Sequence, residues 1–331
     1  MMSDIDDFVR WVRTNRLEST ISTNDDDIFM MTHLDLTKKK IRELPESIHV
    51  LKSLSVLKLS NNRLSKLPDS IGQLKNLKNL QCENNLIEKL PPSIGNLEKL
   101  MILNLNGNRL ETLPEELYNL KALTRLTLAA NKINKLSPSL GNLTKLLYLS
   151  LDTNELKELP DSFSNMKTLY YLDLSFNHLS YLPESISAID ELETLLLEGN
   201  HLKNLPSLES HDMLIKLDLS DNNLKSLDFN VSKLEDLKIF ILDNNDLEYL
   251  PDEICQLKKL TSLSVSSNSL IKLPNNLGNL EKLEELDIED NNIESLPDSI
   301  EELMNLKNLY IGGNKDLSRP LGMDLEYCDV V

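Results

Sequence analysis

Glycine and aromatic side chains are scarce in this chain of 331 residues, which has nine glycines, a single tryptophan and 5% aromatics in all. With only 13 prolines beside them, the turns of two ordinary α/β domains, the number that about 150 residues per domain would suggest, are not provided for. Cysteine is equally sparse. Cys82, Cys255 and Cys328 are odd in number, far apart and without a C-x-x-C pair, which excludes a zinc knuckle or dithiol motif and fits a reducing compartment. Basic charge is in deficit, 35 Lys and Arg against 53 Asp and Glu for a net charge of −18, whereas a nucleic-acid binder needs a concentrated basic face. No uncharged apolar run approaches the roughly 18 residues of a membrane span. Met1 to Arg10 carries Asp4, Asp6 and Asp7 where a signal peptide would be basic. These absences lead us to expect a cytoplasmic protein, or one secreted into a host cell without a Sec signal, and to read the sequons at Asn142 and Asn230 as chance matches.

What the chain has is leucine, in one recurring pattern: L-x-x-L-x-L-x-x-N-x-L-x-x-L-P. Its second leucine falls at Leu34, Leu57, Leu80, Leu103, Leu126, Leu149, Leu172, Leu195, Leu217, Phe240, Leu263, Leu286 and Leu309, at intervals of 23 residues except for 22 between Leu195 and Leu217. The L-x-L core has strand periodicity, so each unit is expected to add one short strand with both leucines inward. Asparagine follows at Asn62 and at the equivalent place in every later unit, where its amide can both donate to and accept from turn backbone; the first unit has Lys39 instead, which suggests an exposed or capped edge. Leu-Pro then opens a short helical or 3₁₀ return. Ser137 and Asp228 replace that proline, and the 22-residue unit lacks the Ile-x-x-Leu turn, so a local bend is expected at the seventh and eighth repeats.

Residues 31–317 thereby resemble the leucine-rich repeat family, and the 23-residue spacing with L-P-x-x-I-x-x-L is similar to repeats of Ras-pathway and polarity scaffolds and of leucine-rich bacterial effectors. The resemblance implies an α/β solenoid of about 13 repeats, a curved horseshoe with parallel strands on its concave face and 3₁₀ or short helical turns on its convex face. It implies protein binding and no shared chemistry. Residues 1–30 read as an N-terminal helical cap: Ser3 and Asp6 form a capping box, and Ile5, Phe8, Val9, Val12 and Leu17 recur at helical spacing. A membrane-surface helix is disfavoured by the aspartates. Residues 318–331 read as the C-terminal cap and tail.

Residues one repeat apart form stripes across the strands, about 5 Å per step. Polar residues are the rule there, so apolar ones among carboxylates mark a docking site. The expected partner-binding set is Tyr148, Asp152, Tyr171, Asp173, Phe176, Leu196, Glu198, Asp218, Asp221, Ile241 and Asp243. Its expected partner is a protein with a basic, partly apolar segment; stacking of Tyr148 on Tyr171 is the structural alternative for those two rings. Charge is uneven as well: residues 1–150 hold 17 acidic and 21 basic residues, and 151–331 hold 36 and 14. Lys40, Arg63, Arg109 and Lys132, interrupted by Leu86, form a secondary basic edge, read either as solvated charge or as a site for an acidic partner or anionic headgroup.

No run of residues has the spacing that a catalytic or metal-binding motif needs. Glu155, His178 and His201 occupy successive rungs, but the end members would be roughly 10 Å apart, too far for a shared metal ion. The acidic run from Glu284 to Asp290 lacks the glycine and terminal glutamate of an EF-hand, and Gly312-Gly313-Asn314-Lys315 lacks phosphate-loop spacing. Cys82 lies at an inward strand position, and Cys255 has no histidine beside it to activate it. No cofactor or metal and no catalytic residue is expected, and the chain reads as a monomeric, non-enzymatic scaffold or adaptor. Its context is either a host-directed bacterial effector or an endogenous regulator of a small GTPase or phosphatase; metal-assisted hydrolysis is the reading from another class.

Overall fold

A computed structural model describes residues 3–315, residue 317 and the backbone of 329–330. The expected C-terminal cap and tail therefore lie largely outside the described residues. The chain divides into two compact units, Met1–Leu156 and Lys157–Val331.

The first unit begins with helix α1 (Asp4–Thr14), whose N-cap Ser3 and third residue Asp6 exchange the two bonds of a capping box. Its apolar face buries Phe8, Val9, Trp11 and Val12. The Trp11 indole N–H donates to the Glu43 carbonyl at 3.2 Å, and Asp4 Oδ2 lies 3.1 Å from His49 Nε2, so the helix rests on the first repeat. A second helix, α2 (Asp25–Met30), is an element that periodicity did not announce. Asn24 caps it by accepting from the N–H groups of Asp26 and Asp27. Six strands follow: β1 (His33–Asp35), β2 (Val56–Lys58), β3 (Asn79–Gln81), β4 (Ile102–Asn104), β5 (Arg125–Thr127) and β6 (Tyr148–Ser150). Each pairs in parallel with the next, leucine opposite leucine, as in Leu34 with Leu57 and Leu57 with Leu80.

The second unit continues with β7 (Tyr171–Asp173), β8 (Thr194–Leu196), β9 (Lys216–Asp218), β10 (Ile239–Ile241), β11 (Ser262–Ser264), β12 (Glu285–Asp287), β13 (Asn308–Tyr310) and β14 (Asp329–Val330). These too are parallel and in sequence order. In both units the central strand residue and the leucine two positions on are buried, for example Leu57, Leu59, Leu195 and Leu197 at 0% exposure. Parallel strands need a covered face, and the 3₁₀ returns supply it. Pro68, Pro114 and Pro251, at φ near −70°, precede the turns Asp69–Gln73, Glu115–Asn119 and Asp252–Gln256. At Ser137 the hydroxyl does the capping, accepting from Ser139 N–H at 3.1 Å while Pro138 fills the first turn position. This is a leucine-rich-repeat solenoid fold of the α/β class.

The buried asparagines join the rungs. Asn85 Nδ2 donates to the Cys82 and Glu83 carbonyls of its own turn and to the Leu59 carbonyl of the preceding one, while its Oδ1 accepts from Leu64 N–H. The same set recurs at Asn62, Asn108, Asn131, Asn222 and Asn245. Half of each amide's bonds point back one repeat. The first repeat has no earlier repeat to serve, and its own turn is served by Asn62, which donates to Leu36 O and accepts from Ile41 N–H. Lys39 is exposed there.

The 22-residue repeat departs as expected in part: no 3₁₀ turn lies between β8 and β9. His211 occupies the place that Leu74, Leu120, Leu234 and Leu257 hold in other repeats, at 1% exposure. Its Nε2 lies 3.1 Å from the Ile186 carbonyl and its Nδ1 3.3 Å from that of Leu208. Burial holds its pKa below the ordinary value near 6.5, against the opposing bonds to Leu208 and Ile186 and the fields of Asp190 and Asp212.

Two outcomes follow from this packing. Asn85→Ala strands at least two buried backbone groups and is expected to cost about 2–4 kcal/mol at roughly 1–3 kcal/mol per unsatisfied group, measured by urea unfolding; a cost below about 0.5 kcal/mol would contradict the ladder. His211 binds its proton more weakly when folded, so its contribution to stability is complete above pH 6.5 and declines as the pH falls below that value. Unfolding free energies from pH 8 to pH 5 should therefore fall more steeply for the wild type than for His211→Leu.

Candidate protein-interaction surface

With leucine committed inward, the first and third residues of strands β1 to β13 lie on the opposite face, and the chain returns to that face after the second buried leucine. In the second unit these outward positions carry Tyr171 and Asp173 on β7, Leu196 on β8, Lys216 and Asp218 on β9, and Ile239 and Ile241 on β10. Register puts Asp173 beside Leu196, Leu196 beside Asp218, and Asp218 beside Ile241. Glu198, Asp221 and Asp243 follow the strand ends. Carboxylates and aliphatic side chains thus alternate along one stripe.

The electrostatics of this face are strained. Burial pushes the Glu198 carboxyl above its ordinary range, and Asp218, Asp221 and Asp173 push it further, with Lys216 alone opposing them. Asp287, on β12, is raised by burial and by Asp243, Glu289 and Glu285, against a bond from the Glu289 N–H. The unit containing these groups holds 34 acidic and 14 basic residues. Some carboxylates are tied down: Tyr171 Oη donates to Asp173 Oδ2 at 3.2 Å, and Asp243 Oδ1 accepts from Ser264 Oγ at 2.6 Å and Ser266 N–H at 2.8 Å.

The expected residues are not equally available. Asp218 is only 7% exposed. It accepts from the Ser220 hydroxyl at 2.6 Å and lies 3.9 Å from Lys216 Nζ, so it sets the field of the surface without being a contact point. Leu196 and Ile241, expected to be exposed, are half-buried, because each lies between flanking strands. Phe176 is 50% exposed. Tyr148 and Asp152 belong to the first unit, where the Arg125 guanidinium lies 3.9 Å over the Tyr148 ring and Asp152 accepts from Ser150 Oγ at 2.7 Å.

Sequence reasoning missed Lys216 and Ile239, although both follow from the strand register. It also missed a backbone feature. The residue before each ladder asparagine is left-handed in every repeat, with φ between 49° and 74° from Lys38 to Gly313. The enrichment of Asn, Gly and Asp at Asn61, Asn84, Gly107, Asp221, Asn244, Asp290 and Gly313 was the available signal.

The basic edge is present as a row of exposed side chains at Lys40, Arg63, Arg109 and Lys132. Arg109 and Lys132 line a groove with Lys89, Glu88, Glu111 and Thr112, which keeps a net positive lining. His178 and His201 stack with ring centroids 5.9 Å apart and planes 9° from parallel. Among the described residues, no group of three or more His, Cys, Asp or Glu side chains is arranged to hold a metal ion, and no helix is long and apolar enough to cross a membrane. Cys82 and Cys255 are buried, and burial raises both thiols, Cys255 to about 11; neither is set up as a nucleophile.

Repeat, ladder and sheet together define the class, and comparison agrees. The leucine-rich repeat region family matches residues 16–104, 92–175 and 213–312, and a further leucine-rich repeat match covers 168–189. The chain belongs to the leucine-rich repeat family. It is 30% identical to a leucine-rich repeat protein of Leptospira interrogans over 93% of this chain and 97% of that one, with a TM-score of 0.71. A plant peptide hormone receptor, RGFR1 in complex with RGF2, is 29% identical with a TM-score of 0.75 over 84% of this chain, which spans 47% of the receptor chain. An internalin of Listeria monocytogenes shares the fold at 21% identity, covering 99% of this chain and 94% of that one, with a TM-score of 0.69. No curated protein matches. Proteins of this family commonly act by binding other proteins, without catalysis.

The crowding at Glu198 has a direct consequence. Because its folded pKa is raised, its ionised form works against folding, and the Glu198 contribution is most favourable at acidic pH and is lost as pH rises through the folded value. Glu198→Gln is expected to raise the thermal midpoint at pH 7.5 and to leave it little changed at pH 4. Equal shifts at both pH values would show that charge repulsion is not the cause.

Proposed function

We propose that this protein is a non-catalytic adaptor that binds a partner protein on the outward strand face of its second unit, with Tyr171, Asp173, Phe176, Leu196, Glu198, Asp221, Ile241 and Asp243 as the contact residues and Asp218 shaping the field. The observation that carries the reading is the alternation of aromatic and aliphatic side chains with crowded carboxylates on a face that the fold itself does not need to cover. Apolar anchors ringed by charge are the usual composition of an interface centre and rim. The partner is a protein offering a basic, partly apolar segment, steered by the acidic excess of the unit. The RGFR1 receptor, whose structure includes RGF2, supports the use of this fold to hold a peptide or protein.

Residues 3–30 are proposed to cap the apolar end of the first repeat, and the basic edge at Lys40, Arg63, Arg109 and Lys132 to be secondary. The likeness to the Leptospira protein over nearly the whole chain supports a bacterial setting. Regulation of a small GTPase or phosphatase has no such observation in its favour.

The test is affinity capture with the full chain from bacterial and eukaryotic lysates, beside a Tyr171→Ala/Asp173→Lys variant and a control variant with Glu184→Lys/Asp252→Lys on the return turns. The expected result is a protein retained by the wild type and the turn variant and reduced to under about a tenth by the strand-face variant, a loss of roughly 1.4 kcal/mol or more. Loss on the turn variant alone would move the site off the strand face.

A further inference from the structure

The left-handed position before the ladder asparagine is taken by Asn, Gly, Asp, Ser, Ala, Thr or Lys in every repeat but one, where it is Phe176 at φ 53°. A bulky side chain there costs backbone energy that Asn or Gly avoids, and this one is also half exposed to water. The next rung opens for it. Gly199, at φ 65°, has no side chain, and a Cβ at that position would lie 2.6 Å from Phe176 Cδ1, 2.9 Å from Cε1 and 3.3 Å from Cγ. The ring therefore lies along the glycine, and the Phe176 backbone is tied to the same rung by its N–H, which donates to the Glu198 carbonyl at 2.6 Å.

Carboxylates border this platform. Asp221 holds the same column one rung beyond Gly199, Glu198 precedes Gly199, and burial together with Asp218, Asp221 and Asp173 raises Glu198. Lys216 is engaged with Asp218 at 3.9 Å. An aromatic face beside crowded anions is matched by a flat, weakly hydrated cation that stacks through its plane and donates through its edge. An ammonium group satisfies the charge but not the plane.

We propose that Phe176, lying on Gly199 and bordered by Glu198 and Asp221, is a subsite for an arginine side chain of the partner protein. This inference rests on the strand-face reading of the preceding section and names the residue that the partner must contribute. The guanidinium stacks on the Phe176 ring and directs its N–H groups to Glu198 and Asp221.

The test titrates octa-arginine, octa-lysine and octa-citrulline peptides into the full chain at fixed ionic strength, following the aromatic ¹³C signals of Phe176 and the dissociation constants. Octa-arginine is expected to bind at least about threefold more tightly than octa-lysine and to shift Phe176. Octa-citrulline is expected not to bind. Phe176→Asn, which places at this rung the residue found at Asn61 and Asn244, should fold and should remove the arginine preference; Phe176→Trp should keep it. Equal binding of arginine and lysine peptides, or an arginine preference that survives Phe176→Asn, would overturn the subsite. If a captured partner is lost on Asp173→Lys but kept on Phe176→Asn, the strand-face reading stands and the arginine subsite falls.

Discussion

Everything in each unit depends on the buried asparagine amide that holds one turn to the turn before it. Each rung has a strand of only three residues, too short to stand alone, and a return that leaves backbone groups inside. The amide of Asn85 closes four of these bonds at once, two in its own turn and two in the preceding one. A side chain that bonds backwards fixes the register between repeats, and register brings leucine over leucine. Repeats joined this way derive their stability from nearest neighbours, so a single amide lost in the middle removes support from two rungs.

The same division of labour frees the surface. Because leucines and asparagines carry the fold, outward strand positions can take any residue that tolerates an extended backbone, and selection for binding can act there alone. The second unit uses this freedom at a cost. It gathers carboxylates until Glu198 and Asp287 are pushed toward their neutral forms by burial and by the acidic side chains around each, and it sets a phenylalanine in a backbone conformation that suits asparagine. Both features weaken the free protein, the pattern expected where binding and stability compete for the same residues. The first unit differs. It takes up its own surface cation, with Arg125 over Tyr148, and along its exposed basic edge the groove at Arg109 and Lys132 mixes both signs of charge.

Much of this was legible in the chain. A period of 23 residues, kept from Leu34 to Leu309, defines strand, turn and return without any further information, and the alternation in Leu57-Lys58-Leu59 tells inward from outward. The capping box at Ser3 and Asp6 was visible for the same reason: it is local. Features that depend on a neighbouring rung were not. The half-burial of Leu196 and Ile241 arises from strands on either side, Asp218 is covered by Ser220 and Lys216, and the role of Gly199 exists only because Phe176 leans onto it from the previous repeat. Helix α2 carries three aspartates in a six-residue span and too few apolar positions for a period to show. His211 looks like a polar substitution in the sequence; the structure shows a histidine in a leucine's place, with carbonyls facing both nitrogens.

The claim that the strand face of the second unit is the binding surface is tested most directly by carboxylate footprinting of the full chain with and without its captured partner. Labelling of Asp173, Glu198, Asp221 and Asp243 is compared with that of Glu184, Asp252 and Asp298 on the return turns. The account predicts that the first group is protected in the complex while the second is labelled as in the free protein. Protection of the return-turn carboxylates, with the strand-face group unchanged, would contradict it.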